Sequence, residues 1–279
     1  MDKQIISFDG TRICYDYFKG KSSLTLVFLH GVGANWTVWK KEINFFKKRG
    51  YSILTLDLRG HGESEAPDDF SKYRLHYFSR DINIVLKKEK INKFSFIGHS
   101  LGGAIAINYL MRYKKCYPTS VVFVDTSSTY PFKHNHLLNY GPFVTHFLRF
   151  ISNHKLTKSE HFFHFNDIDL SEKGLTEKIH VISHLLHLTP LRTIVKTLDN
   201  VERYVFKNKN KINYTLKHLN VPTLIISGEY DQVVPTKYSL FIKKLKKNAE
   251  FKLVKKAHHK VIIEHPKLIN KLIYDFINE

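Results

Sequence analysis

The chain is short of cysteine, of acidic residues and of long apolar runs, and each shortage excludes something. Its 279 residues include two cysteines, Cys14 and Cys116. They stand alone with no paired spacing, so neither a disulfide framework nor a zinc ribbon is encoded. No stretch approaches the roughly 18 unbroken apolar residues that a membrane span requires. The N-terminus, MDKQIISFDG, has no apolar signal core. A soluble, cytoplasmic globular protein is expected. Asp and Glu number 25 against 44 Lys and Arg, for a formal net charge of +19. Only nine of those basic residues are Arg, and the excess is spread as +8, +5 and +6 over residues 1–125, 126–215 and 216–279. Recognition of phosphates and bases favours Arg forks gathered in one place, so no nucleic-acid partner is expected. Runs such as Lys47-Lys48-Arg49, Lys243-Lys244 and Lys246-Lys247 read as exposed helix faces and loop ends.

What is present points to a packed core. Hydrophobic residues make up 43% of the chain and aromatics 14%, which rules out a disordered polymer. Short apolar runs bounded by turn residues recur at Ile5–Phe8, Arg12–Phe18, Leu24–Leu29, Ser52–Leu56, Phe94–Ile97, Ser120–Val124, Thr223–Ser227 and Phe251–Val254. From the third onward they are nearly continuous in hydrophobicity, as parallel strands covered on both faces must be. Helical periodicity lies between them at Trp39–Arg49, Tyr77–Glu89, Gly103–Tyr113, Tyr238–Leu245 and Pro266–Ile277. Such alternation predicts an open α/β sheet with helices on both faces. It lapses between Asp125 and Leu216, a stretch of about 90 residues that is too long for an ordinary loop. The stretch holds nine of the 17 histidines. It is read as a helical insertion over the C-terminal edge of the sheet, where open α/β folds bind ligands.

The most informative segment is Ile97-Gly98-His99-Ser100-Leu101-Gly102-Gly103, between a predicted strand and a predicted helix. It has the form Gly-x-Ser-x-Gly in the strand–turn–helix context that gives that pattern meaning. A sharp turn there strains the serine backbone and lifts its hydroxyl to the sheet edge. Gly98 and Gly102 leave room for the neighbouring strand and helix, and the helix N-terminus favours developing negative charge. Three more segments fall at strand ends. They are His30-Gly31-Val32-Gly33, then Asp57-Leu58-Arg59-Gly60-His61-Gly62, then Gly228-Glu229-Tyr230-Asp231. Ala257-His258-His259 and Glu264-His265-Pro266 follow.

With these segments in that order, the chain resembles the α/β-hydrolase fold family, and within it the small capped serine esterases. The resemblance implies a mostly parallel eight-stranded sheet with a helical cap inserted after the sixth strand. The core would be residues 1–125 and 216–279, and the cap residues 126–215. It also assigns roles. Ser100 is the nucleophile, Asp231 the acid and His259 the base, because His259 lies five residues before the Glu of Glu264-His265-Pro266. Asp125, at the end of the preceding strand, is the rival acid, and His258 stands where the family usually has glycine. The oxyanion donors are the backbone N–H groups of Val32 and Leu101. Gly98, His99, Gly102, His30 and Gly31 support the elbow and the facing loop, while Asp57 and Arg59 brace the loops around the site. Dehalogenases and epoxide hydrolases of this fold carry an aspartate where Ser100 stands, so acyl transfer is the expected chemistry.

Neither cofactor nor metal is implied. His180, His184 and His187 share a helical face, but no carboxylate completes a ligand set, and His134/His136 and His161/His164 are equally incomplete. The aromatics from Tyr140 to Phe165 suit cap packing or an apolar acyl pocket. The expected reaction is hydrolysis of a carboxylic ester with a small or medium apolar acyl group. A thioesterase, a carrier-protein methyl-ester esterase, a lactonase or a carbon–carbon bond hydrolase would use the same residues. A hydrolase-like binding protein without turnover is the reading from another class. An acidic carrier protein or an anionic membrane surface is the partner that the basic charge would suit.

Overall fold

The computed structural model describes residues 1–131 and 189–279. The histidine sets between His134 and His187 and the aromatics from Tyr140 to Phe165 lie outside the described residues. Eight strands form one sheet. In chain order they are β1 (Lys3–Ile6), β2 (Arg12–Phe18), β3 (Thr25–Leu29), β4 (Ser52–Leu56), β5 (Phe94–His99), β6 (Ser120–Val124), β7 (Thr223–Gly228) and β8 (Glu250–Val254). Their spatial order is β1-β2-β4-β3-β5-β6-β7-β8. β1 and β2 pair antiparallel, as do β2 and β4, and every pair from β4 onward is parallel.

Burial explains the pattern. All residues of β3, β4, β5, β6 and β7 are buried, whereas the edge strands β1 and β8 are largely exposed or half-buried. Helices cover both faces. On one side α1 (Lys40–Lys48) and α7 (Pro266–Asn278) enclose Phe28, Trp39, Phe46, Ile269 and Ile273. On the other, α2 (Leu75–Lys88), α3 (Leu101–Arg112) and α4 (Leu191–Lys217) enclose Phe78, Phe96, Tyr109, Phe123 and Ile212. Two further helices, α5 (Thr236–Leu245) and α6 (Val261–Glu264), flank β8 in the chain. Among the described residues, no helix is long and apolar enough to cross a membrane.

The sheet order also places a site. The chain leaves β3 for β4 on one side and reaches β5 on the other, so the strand order reverses around β3. Loops diverge at such a point and leave a crevice beyond the strand ends. The Gly31-Val32 loop and Ser100 lie at that crevice, because Leu29 pairs with Gly98 across β3 and β5.

Several boundaries differ from the sequence expectation. The first strand is Lys3–Ile6 rather than Ile5–Phe8, since Ser7 to Thr11 closes a turn through Ser7 N–H on the Thr11 carbonyl. α3 begins at Leu101 instead of Gly103, because Ser100 itself is the residue that enters the helix. α4 runs without a break across position 215/216, and its residues Val205, Ile212 and Leu216 pack in the core. Lys246 is buried and bonded to Asn248, so the Lys246-Lys247 pair is not a wholly exposed face. The turn following α5 folds back there, with Ala249 N–H on the Lys246 carbonyl.

Arg59, fully buried, ties the loop after β4 to the helical layer. Its guanidinium donates two hydrogen bonds to Asp81, at 2.7 and 2.8 Å, and others to Asp9 and to the Lys72 carbonyl. Removing one partner of a buried ion pair strands the other charge in a dry place. Arg59→Ala should therefore destabilise the fold by about 3–5 kcal/mol, as read from the urea midpoint. A loss under about 1 kcal/mol, the range of exposed ion pairs, would contradict this bracing role.

Candidate active site

Ser100 sits between β5 and α3 with φ +52° and ψ −114°, a region that non-glycine residues occupy only under constraint. The constraint is visible. A Cβ on Gly98 would lie 2.7 Å from the backbone of Gly102 and Gly103, and one on Gly102 would collide with the Leu29 carbonyl. Only glycine permits the strand and helix to approach this closely. The turn puts Ser100 at the start of α3, whose first N–H groups have no intrahelical acceptor. Leu101 supplies the first of them.

Two further strand ends bring their side chains to the same spot. His259, after β8, places Nε2 3.1 Å from Ser100 Oγ and Nδ1 2.8 Å from Asp231 Oδ2. Asp231, after β7, is buried, and its other oxygen accepts the N–H groups of Val233 and Val234 at 2.8 Å each. With Nδ1–H donating to the carboxylate, His259 is left with an unprotonated Nε2, able to accept the serine proton. His258 points elsewhere. Its side chain is 60% exposed, its Nδ1 is 3.5 Å from Glu264, and its backbone N–H donates to the same carboxylate.

The supporting residues each fix a particular atom. His99 Nε2 donates to the His259 carbonyl at 2.7 Å, holding the loop that carries the imidazole. Burial, helped by His259 nearby, pushes the His99 pKa down to about 3, so its ring is neutral. Gly31 packs against it, since a Cβ there would lie 3.0 Å from His99 Nδ1 and 3.3 Å from Ser100 Cβ. His30 is likewise fully buried and its pKa is held well below the usual histidine range by burial. Its Nε2 accepts Leu58 N–H at 3.0 Å, and its Nδ1–H donates to the Gly31 carbonyl at 2.8 Å. In a trans peptide the C=O and N–H point in opposite directions. Anchoring the Gly31 carbonyl to His30 therefore turns Val32 N–H away from His30. Asp57 braces the same loop by accepting N–H from Trp36 at 2.9 Å and Glu63 at 2.8 Å, and burial raises its pKa to about 7.

Asp125, the rival acid, lies beside this array without taking the Asp231 place. It is fully buried, and its Oδ1 accepts Gly228 N–H at 2.8 Å. His99, Asp125 and His259 bring one donor atom each to within 4.8 Å of one another. Such a trio could hold a cation, but His99 Nε2 and both His259 nitrogens are already engaged in the bonds described above.

A cavity of about 40 Å3 opens at Ser100. Val32, Leu101 and Val234 line it from the core, and Leu198, Val201 and Val205 from α4. Among the described residues that line it, Ser100, Ser127, Thr129 and Tyr130 carry polar side chains and none is charged. The α4 wall was not singled out from the sequence, although Leu198, Val201 and Val205 fall at i, i+3 and i+7, one face of a helix.

A serine on a strand-to-helix turn, facing an imidazole–carboxylate pair at the switch point of an open parallel sheet, is the architecture of an α/β-hydrolase enzyme. The chain belongs to that family, since residues 25–266 match the family model described as alpha/beta hydrolase fold. Human epoxide hydrolase 4 is 27% identical, over 98% of this chain and 78% of that protein. Putative esterase/lipase 2 of Mycoplasma genitalium is 26% identical, over 92% and 90%. Human protein ABHD8 is 23% identical over 92% of this chain, which spans 56% of that longer protein. Among solved structures, an esterase of Exiguobacterium antarcticum superposes with a TM-score of 0.77 at 20% identity, with both chains fully covered.

Proposed function

We propose that the protein is a serine hydrolase that cleaves carboxylic esters of short, neutral acyl groups through an acyl-enzyme. The observation that carries this is the alignment of Ser100 Oγ, the His259 ring and Asp231 at 3.1 and 2.8 Å. In this reading Ser100 Oγ attacks the ester carbonyl while its proton passes to His259 Nε2. The carbonyl oxygen becomes an oxyanion facing the N–H groups of Val32 and Leu101. As the carbonyl re-forms, the alcohol leaves with the proton from His259. Water then repeats the sequence and releases the acid. Asp231 holds the ring in the tautomer that can accept and stabilises the imidazolium that forms.

Relatives named as epoxide hydrolases supply the competing chemistry, and the nucleophile argues against it. Opening an epoxide with the Ser100 oxygen would leave an alkyl ether on the enzyme, which water does not cleave under mild conditions. An acyl-serine ester is cleaved by the same base that formed it. The described lining at Ser100 carries no charged side chain, which supports a neutral acyl group, because an ion against it would lose its hydration without gaining a partner there. The cap expected over residues 126–215 belongs with this reading, and of its described residues Leu198, Val201 and Val205 on α4 line the acyl site.

A panel of p-nitrophenyl esters tests the proposal. The cavity at Ser100 is small, about 40 Å3, and largely aliphatic among its described lining residues. The specificity constant should therefore peak between acetate and butyrate and fall at least about tenfold by laurate, as each surplus methylene loses its burial. An aryl epoxide should not turn over. Epoxide hydrolysis, or a folded protein inert to every ester, would overturn the assignment.

A further inference from the structure

Asp125 follows β6 with its backbone at φ +45°, in the left-handed region. Its N–H donates to the Ile226 carbonyl and its Oδ1 accepts Gly228 N–H, so the side chain is fixed against the loop after β7. Its second oxygen, Oδ2, is buried and meets no N–H or O–H donor among the described residues. His99 Nε2 lies 4.0 Å from it, but that nitrogen donates to the His259 carbonyl. The carboxyl of Asp231 belongs to the same array, since an Asp125 oxygen lies within 4.8 Å of a His259 nitrogen and that ring's Nδ1 is 2.8 Å from Asp231 Oδ2, with Glu264 adding further negative charge from α6. The imidazole of His259 completes the surroundings.

Two carboxylates side by side in a dry place oppose each other's ionisation, and a buried oxygen with no donor is costly as a bare anion. One of the pair must carry a proton, and donor counting says which. Asp231 receives three hydrogens, from Val233 N–H, Val234 N–H and His259 Nδ1–H. Asp125 receives one. We propose that Asp125 is a protonated positioning residue, which donates a hydrogen bond from Oδ2 to Asp231 and holds that carboxylate in line with His259. Burial and the Asp231 charge both push the Asp125 pKa well above the ordinary carboxylate range, in agreement with the donor count. The arrangement rests on reading Ser100, His259 and Asp231 as the reacting set. It adds a second acid, whose neutrality is what makes it useful.

Asparagine reproduces a protonated aspartate in shape, with Oδ1 still able to accept Gly228 N–H and Nδ2 able to donate to Asp231. Alanine does neither. Asp125→Ala should lose about ten- to a hundredfold in kcat with little change in KM, the cost of one buried charge-assisted hydrogen bond. Asp125→Asn should recover most of that loss. If Asp125→Asn is as impaired as Asp125→Ala, the residue acts as an anion and the proposal fails. The spectroscopic arm needs no turnover. In protein with 13C-labelled aspartate carboxyls at pH 7, the infrared difference between parent and Asp125→Asn should show loss of a protonated-carboxyl band. Loss of a carboxylate band instead would overturn the proposal, even if Asp125→Ala does not fold. A parent protein inert to esters would sink the functional reading alone, since the infrared result stands independently.

Discussion

Ser100→Ala is expected to lower ester turnover by about four to six orders of magnitude with the fold unchanged. The substitution removes Oγ, the atom 3.1 Å from His259 Nε2 and the hydroxyl that this nitrogen engages among the described residues. The elbow itself should survive. Its shape is set by Gly98 and Gly102 and by Ser100 N–H on the Val124 carbonyl, none of which involves the hydroxyl. Asp231→Asn keeps the side-chain shape but turns the pairing around, since an amide presented to Nδ1 favours the wrong imidazole tautomer. It should cost about 10⁴ in kcat. His258→Ala should stay within about threefold of the parent, because that ring is mostly exposed and pairs with Glu264. Steady-state kinetics on p-nitrophenyl acetate, with circular dichroism to verify folding, checks all three. An active Ser100→Ala protein, or a His258→Ala variant as damaged as His259→Ala, would overturn the assigned roles.

The second large effect lies in α1. Glu42 is fully buried, neither of its carboxyl oxygens has a hydrogen-bond partner among the described residues, and burial raises its pKa to about 8. The unfolded chain releases that proton near the ordinary value of 4.5. Between the two values the folded state binds the extra proton, so stability falls as pH rises and levels off above about 8. At about 1.4 kcal/mol per pH unit, Glu42 should contribute about 3–5 kcal/mol of destabilisation at pH 9 that is absent near pH 5. Glu42→Leu removes the term. The variant should gain that amount over the parent at pH 9 compared with pH 5, as measured by urea unfolding at both pH values. An equal difference at the two pH values would show that Glu42 finds a partner in the fold.

How far the sequence reveals these features follows from the kind of interaction each one uses. Ser52–Leu56 and Ser120–Val124 match their strands residue for residue, because a strand covered on both faces is a continuous apolar run with polar ends. β1 is misplaced by two residues for the opposite reason, since edge position leaves Ile6 62% exposed and burial no longer marks the strand. Ser100 is legible because the elbow is local: two glycines, a serine and a strand-to-helix change fall within a few residues. His259 is legible from its spacing to Glu264, and the structure shows a use for that carboxylate, which accepts the His258 N–H and so braces the loop. Asp125 was visible only as a rival acid. Its place beside Asp231 depends on parallel register, where Val124 pairs with His99 on one side and Ile226 on the other, bringing three strand ends together. Glu42 reads as a solvated charge after Lys40 and Lys41. Its spacing of three from Trp39 and four from Phe46 puts it on the apolar face, where α1 packs with α7 to build the core.

The central claim is that Ser100 is an activated nucleophile, and covalent labelling tests it most directly. The protein would be incubated with a fluorophosphonate, the adduct weighed and its position mapped by peptide mass spectrometry. One adduct per chain is predicted on the peptide containing Ser100, absent in Ser100→Ala and formed far more slowly in His259→Ala. A folded protein that takes no label, or one labelled equally well after Ser100→Ala, would contradict the account.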